Sequence, residues 1–213
     1  MYFLEKMVTK LKKQVIVEGE DDKSKLGLVQ IYAGDGKGKT TASLGLALRA
    51  IGNGFKVYMI QFLKSGSTGE LISSKKFEDF KIVQYGVDAL KENKIQKTLG
   101  DFGLRDDKTK FIFEPDIKEK ESCEKALQDV KEIISSKEYN IVILDEINCA
   151  LDKGLIKVAD VVEILKNHGK TELILTGRDP PKEIFEYADY ISIIQRVKHP
   201  WQKGIKARKG IEY

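Results

Sequence analysis

Gly34-Asp-Gly-Lys-Gly-Lys-Thr-Thr41 gathers glycines, lysines and hydroxyls between an apolar run and a segment with helical spacing. Only glycines let successive backbone N–H groups turn inward around an anion. The start of the following helix adds unpaired donors and the positive end of its dipole. In that setting Lys39 reaches the terminal phosphates of a nucleotide and the Thr40 hydroxyl ligates Mg2+. The loop atoms expected to hold the phosphates belong to Gly34, Asp35, Gly36, Lys37, Gly38, Lys39, Thr40 and Thr41. The pattern G-x-x-x-x-G-K-[ST] asks for glycine at the first position, where this chain has Ala33. A second cluster, Ile141-Val-Ile-Leu-Asp-Glu146, ends an apolar strand in two carboxylates. Asp145 and Glu146 join Thr40 as expected Mg2+ ligands, and Glu146 can also orient a nucleophile or water. Both are expected to face the phosphate site from the neighbouring strand. Lys39, Thr40 and Glu146 are the catalytic candidates.

Other residues invite chemistry with less force. Arg178, in Thr176-Gly-Arg178 at a strand end, either contacts a phosphate bidentately or pairs with Glu183. His199 is expected to be a hydrogen-bonding structural residue, and His168, before Gly169, a helix C-terminal cap. Cys123 and Cys149 are too few for a disulfide framework and too isolated for a zinc site, so both are expected to be structural thiols. Lys198, Lys203, Lys206, Arg208 and Lys209 surround Trp201 in a basic tail. A nucleic-acid reading of that tail is thin, because it offers a single tryptophan for stacking.

The elements that must position these groups alternate between strand and helix, which predicts an α/β fold with a mostly parallel central sheet flanked by helices. Strands are expected at 28–33, 56–62, 81–85, 140–145, 171–176 and 190–194. A helix is expected over 40–53, with Leu44, Ala47, Leu48 and Ile51 on its apolar face and Gly52 and Gly54 as its stop. Residues 118–136 and 156–167 also carry helical spacing, while 87–110 has weak periodicity and reads as a lid, an insertion or a solvated connection. The sheet domain is placed at 26–213, preceded by an N-terminal appendage, residues 1–25, expected to be helical.

At 213 residues the chain suits one substantial core. Hydrophobic residues at 41% and charged residues at 33% are globular proportions, and a net charge of +4 demands no polyanionic partner. No stretch approaches the roughly 20 apolar residues of a membrane helix, and no secretion signal is read. A cytoplasmic protein with neither nucleic-acid nor membrane partner is expected.

Phosphate loop and carboxylate strand together predict a three-layer P-loop NTPase-like (RecA-like) fold, but they do not select a reaction. Several further blocks resemble the ATP:corrinoid adenosyltransferases, the family of the bacterial cob(I)alamin and cob(I)yrinic acid a,c-diamide enzymes. The likeness runs through Tyr32–Thr41, Val57–Lys64, Ile143–Ile147, Leu175–Pro181 and Ala188-Asp189, and ends in Val197–Tyr213, the most specific block. It spans residues 27–86 and 111–213.

The resemblance implies ATP and a reduced corrinoid as substrates, with Mg2+ present. Co(I) attacks the 5′ carbon of ATP and expels triphosphate, which the loop cradles in a sense reversed from ordinary P-loop enzymes. It implies Arg178 as an ATP contact and the basic tail as a segment that packs back toward the site. Phe111 and Phe113, with Phe102 behind them, are the candidates for the aromatics that strip the lower axial ligand of cobalt. A homodimer and a reductase or flavoprotein electron donor are the expected partners. The alternative is a P-loop ATPase in a regulatory or motor role, which would release orthophosphate. An adenosylcorrinoid carrier is a third possibility.

Overall fold

The computed structural model describes residues 25–87 and 117–213. Its elements are β1 (Val29–Ala33), α1 (Lys39–Ile51), β2 (Val57–Phe62), α2 (Gly69–Ser74), β3 (Phe80–Tyr85) and α3 (Ile117–Ser136). They continue as β4 (Ile141–Asp145), α4 (Ile147–Asp152), α5 (Val158–Asn167), β5 (Glu172–Thr176) and β6 (Tyr190–Ile193). The strands form one six-stranded sheet in the order β3-β2-β4-β5-β1-β6. Every pairing within it is parallel, so the expected mostly parallel sheet is wholly parallel among the described residues.

Burial on both faces explains the unbroken apolar runs of the central strands. Side chains alternate across the sheet. Tyr58, Ile60 and Phe62 of β2, Val142 and Leu144 of β4, and Leu173 and Leu175 of β5 pack with α3, α4 and α5. The intervening Val57, Met59, Ile141, Ile143 and Ile174 pack with Ala47 and Ala50 of α1. The result is the expected three-layer arrangement.

Two expectations are corrected by the packing. Ala47 of α1 is buried and Leu44 and Ile51 pack beside it as expected, but Leu48 is 58% exposed, and Lys39, Ser43 and Ala50 are buried in its place. Small residues let this helix lie close against the sheet, so the face of α1 is chosen by fit and not by hydrophobicity alone. The second concerns strand order. β4 is not adjacent to β1, because β5 lies between them. The carboxylates therefore approach the phosphate loop across an intervening strand, which must contribute to the site.

Residues 1–24 of the expected appendage and 88–116 lie outside the described residues, and with them Phe102, Phe111 and Phe113.

Candidate active site

The loop after β1 is shaped by its glycines. The left-handed backbone needed to leave the strand falls on Gly34 (φ 103°), and Gly38 (φ 121°) turns the chain into α1. Ala33 stays in the strand, paired with Ile193 of β6, so no left-handed backbone is asked of the residue that replaces the first glycine. Gly34 and Gly36 have a further reason to be glycine. A Cβ on Gly34 would lie 2.4 Å from the Ile194 carbonyl oxygen, and one on Gly36 would lie 2.8 Å from the Gln195 carbonyl carbon. The Gly36 N–H donates to that same Ile194 oxygen at 2.8 Å. The loop is thus braced from outside by the chain leaving β6.

Lys39 is buried, with its ammonium donating to the carbonyls of Gly34 (2.6 Å) and Gly36 (2.8 Å). Burial pulls its pKa below the usual lysine range, with the Glu146 charge opposing the shift. Asp35 points to the chain after β6. It accepts the Arg196 N–H at 3.0 Å and pairs with Arg196 Nε at 3.4 Å, and the backbone hydrogen bond holds its carboxyl below the ordinary range. Lys37 is exposed and reaches the Ile211 carbonyl at 3.2 Å, so the basic tail does lie over the loop. Thr41 is exposed.

The C-terminal edge of the sheet supplies a row of polar side chains on the α1 face. Gln84, Gln61, Asp145 and Thr176 continue, by two-residue alternation, the same faces as Ile82, Met59, Ile143 and Ile174. Strand register aligns Gln84 with Gln61 and Gln61 with Asp145. The Gln84 amide donates to Gln61 Oε1 at 2.9 Å, and Gln61 donates to Asp145 Oδ2 and Glu70 Oε1, each at 3.1 Å. From β5, the Thr176 hydroxyl donates to Asp145 Oδ1 at 2.6 Å and accepts the Glu146 N–H at 3.1 Å. Thr40 of α1 donates to the same Oδ1 at 2.8 Å, which closes the gap between phosphate loop and carboxylate. Lys64, past the end of β2, pairs with Asp145 Oδ2 at 2.7 Å.

Glu146 takes a left-handed backbone (φ 63°) that turns it away from the row. Its carboxylate accepts from the Cys149 thiol at 2.8 Å, and Cys149 Sγ accepts the Arg178 N–H at 3.3 Å. Burial, reinforced by Glu146, pushes the Cys149 thiol up to about 12, so it stays protonated and structural as expected. Cys123 is likewise pushed up by burial, to about 11. Arg178 is exposed on the loop side and makes no salt bridge with Glu183 or any other described residue; its charge is felt at Lys39 and Asp35. His199 caps the short helical turn after it by accepting the Trp201 N–H at 3.2 Å, and His168 ends α5 with Nδ1 2.7 Å from the Thr171 carbonyl. Both histidines make local contacts to the backbone.

Thr40 and Asp145 offer adjacent hard oxygen donors beside the loop, the donor set that Mg2+ shares with a nucleotide's phosphates. These residues fit the ion. Sequence reasoning missed Gln61, Lys64, Gln84 and Thr176. One signal was available, a lone glutamine in the otherwise apolar Val57–Phe62.

The family model for ATP:corrinoid adenosyltransferase BtuR/CobO/CobP matches residues 25–213. A corrinoid adenosyltransferase of Sinorhizobium sp is 34% identical over 88% of this chain and 80% of its own. One from Escherichia coli K12 is 29% identical over 93% of this chain and 90% of its own. The corrinoid adenosyltransferase CobA of Salmonella typhimurium LT2 is 28% identical over 96% of this chain and 94% of its own. Domain III of the Thermotoga maritima replication initiation protein DnaA superposes with a TM-score of 0.35 at 11% identity, over 80% of this chain and 55% of that one.

Proposed function

The chain belongs to the ATP:corrinoid adenosyltransferase family, and from that premise we propose how its phosphate loop serves the transfer of an adenosyl group from ATP to a corrinoid. The observation that carries the reading is the direct hydrogen bond from Thr40 to Asp145, which unites a phosphate loop with a buried carboxylate held by Gln61, Thr176 and Lys64. That arrangement suits a triphosphate at the C-terminal edge of a parallel sheet.

The bond that forms joins cobalt to the 5′ carbon, using the electron pair of Co(I). The bond that breaks is C5′–O, and its pair leaves with the triphosphate. Charge therefore gathers on the leaving oxygen, and donors aimed there lower the barrier. Lys39, the loop amides and Arg178 are the donors, with Lys37 at the rim. Among the described residues Lys39 donates only to loop carbonyls, which a phosphate oxygen can replace. Thr40 and Asp145 would hold Mg2+, which neutralises triphosphate charge. Glu146 sits within electrostatic reach of Lys39 and helps keep it charged. No general base is required, since the nucleophile has no proton to lose.

Phe111 and Phe113 are proposed to face the corrinoid. A flavoprotein or other reductase would supply the electron to cobalt. The exposed Tyr190, Ile191 and Ile193 of the edge strand β6 support a homodimer, which light scattering would test. No described helix is long and apolar enough to cross a membrane. Thiols at Cys123 and Cys149 suit the reducing cytoplasm.

The test is anaerobic incubation with Mg-ATP and chemically reduced cob(I)alamin. A light-sensitive alkylcobalamin spectrum with stoichiometric triphosphate is expected. Orthophosphate with an unchanged cobalamin spectrum would establish a hydrolase instead.

A further inference from the structure

The Asp145 carboxylate has a cation beside it in addition to a set of neutral donors. Oδ1 accepts from Thr40 and Thr176, and Oδ2 accepts from Gln61. These neutral donors satisfy both oxygens, yet Lys64 also brings its ammonium to 2.7 Å from Oδ2. The two side chains differ in exposure: Asp145 is fully buried, while Lys64 is 27% exposed and open to the site. A lysine in such a position supplies charge on a stem that can turn.

The backbone is built to bring Lys64 there. Leu63, immediately before it, adopts a left-handed conformation (φ 57°), which leucine avoids unless its surroundings enforce it. The Leu63 N–H donates to the Tyr85 carbonyl at 2.8 Å, and the Ser65 hydroxyl donates to the Val87 carbonyl at 3.2 Å. Between them, a Cβ on Gly86 would lie 2.4 Å from both the carbonyl carbon and the oxygen of Lys64. Gly86 is glycine for this close approach, since its φ is not in the left-handed region. Strain and a forced glycine thus converge on the placement of one ammonium.

We propose that Lys64 is a triphosphate-binding cation that exchanges partners: it neutralises Asp145, and when Mg2+ takes over that carboxylate its ammonium turns to the triphosphate. This rests on the reading of Thr40 and Asp145 as the Mg2+ holders. The electrostatics favour the exchange. An ammonium and a divalent cation on one carboxylate repel, and a polyanion bound beside them relieves the repulsion by engaging both. Lys39 has no such second role, because it is held by loop carbonyls and not by a carboxylate.

Two binding titrations on the full chain test this. Mn2+ binding, read from the electron paramagnetic resonance of the free ion, reports the carboxylate. Calorimetry with inorganic triphosphate in Mg2+ reports the anion. Lys64→Gln is expected to tighten Mn2+ several-fold, by removing its competitor, and to weaken triphosphate about tenfold, the loss of one charge-assisted bond. Lys64→Arg is expected to retain most of the triphosphate affinity, and Lys131→Gln, in a remote exposed pair, to change neither. A Lys64 that only neutralises Asp145 would tighten Mn2+ on substitution and leave triphosphate affinity unchanged, and that result would overturn the proposal. No change, or two changes in the same direction, would overturn the proposal. Mn2+ binding to Asp145→Asn as tight as to the unaltered protein would overturn the metal reading, and the exchange with it.

Discussion

At the scale of single residues, the site depends on side chains that bridge. The Thr176 hydroxyl both receives the Glu146 N–H and donates to Asp145, and it is fully buried. Thr176→Val keeps the shape but leaves the Glu146 N–H without its acceptor and Asp145 Oδ1 with Thr40 alone, so a loss of about 1–3 kcal/mol in urea unfolding is expected, together with slower adenosyl transfer. Lys39→Ala is expected to abolish transfer while leaving the fold intact, checked by the anaerobic alkylcobalamin assay beside circular dichroism. The thiols give a pH signature. Cys149, raised to about 12, and Cys123, raised to about 11, both stand above the ordinary thiol value of 9.0. A raised acid binds its proton more tightly when folded, so the stabilisation is complete below pH 9 and is lost as pH climbs through the folded values. Melting temperature should therefore fall with rising pH above 9, and less steeply in Cys149→Ala. The equal steepness of that variant and the unaltered protein would refute the assignment.

At the scale of elements, α1 separates what periodicity can show from what packing decides. Leu48 fits the apolar spacing of the helix, yet it faces solvent while Ala47 is fully buried. Leu48→Gln is accordingly expected to change stability by no more than about 0.5 kcal/mol. Ala47→Leu forces extra volume against Ile143 and Ile174 and should cost about 1–3 kcal/mol. Chemical denaturation of the two variants distinguishes the buried face from the hydrophobic one. The phosphate loop makes the complementary case. Its glycines were legible as an anion cradle, but the approach of Ile194 and Gln195 to Gly34 and Gly36 was not, since nothing local says which distant segment will lean on a loop. Gly34→Ala meets both a left-handed φ and the Ile194 oxygen, and should destabilise the loop more than an alanine at Gly38, whose Cβ position is open.

At the scale of the whole molecule, nucleotide binding and folding are one equilibrium. The site draws on β1, β2, β4, β5 and α1 together, so a ligand that holds their ends opposes global unfolding. Mg-ATP at a hundred times its dissociation constant should stabilise the protein by about 2.7 kcal/mol. Thermal melts should show that gain diminished in Thr40→Ala. An undiminished gain would place the metal contribution elsewhere.

The sequence by itself determined the parallel α/β class, the strands that are buried on both faces, the phosphate loop and the carboxylates that end β4. Those features are local: a glycine-rich turn, an apolar run and a Gly-Lys-Thr each act through their own neighbours. The resemblance of the tail and the Val57–Lys64 block carried the family and its reaction. Tertiary structure alone decided the strand order that inserts β5 between β1 and β4, and hence why Thr176 is needed. It also aligned Gln84, Gln61, Asp145 and Thr176 into one row and turned Lys64 onto Asp145. Register and strand order arise from pairing between segments far apart in the chain, and no spacing within one segment encodes them.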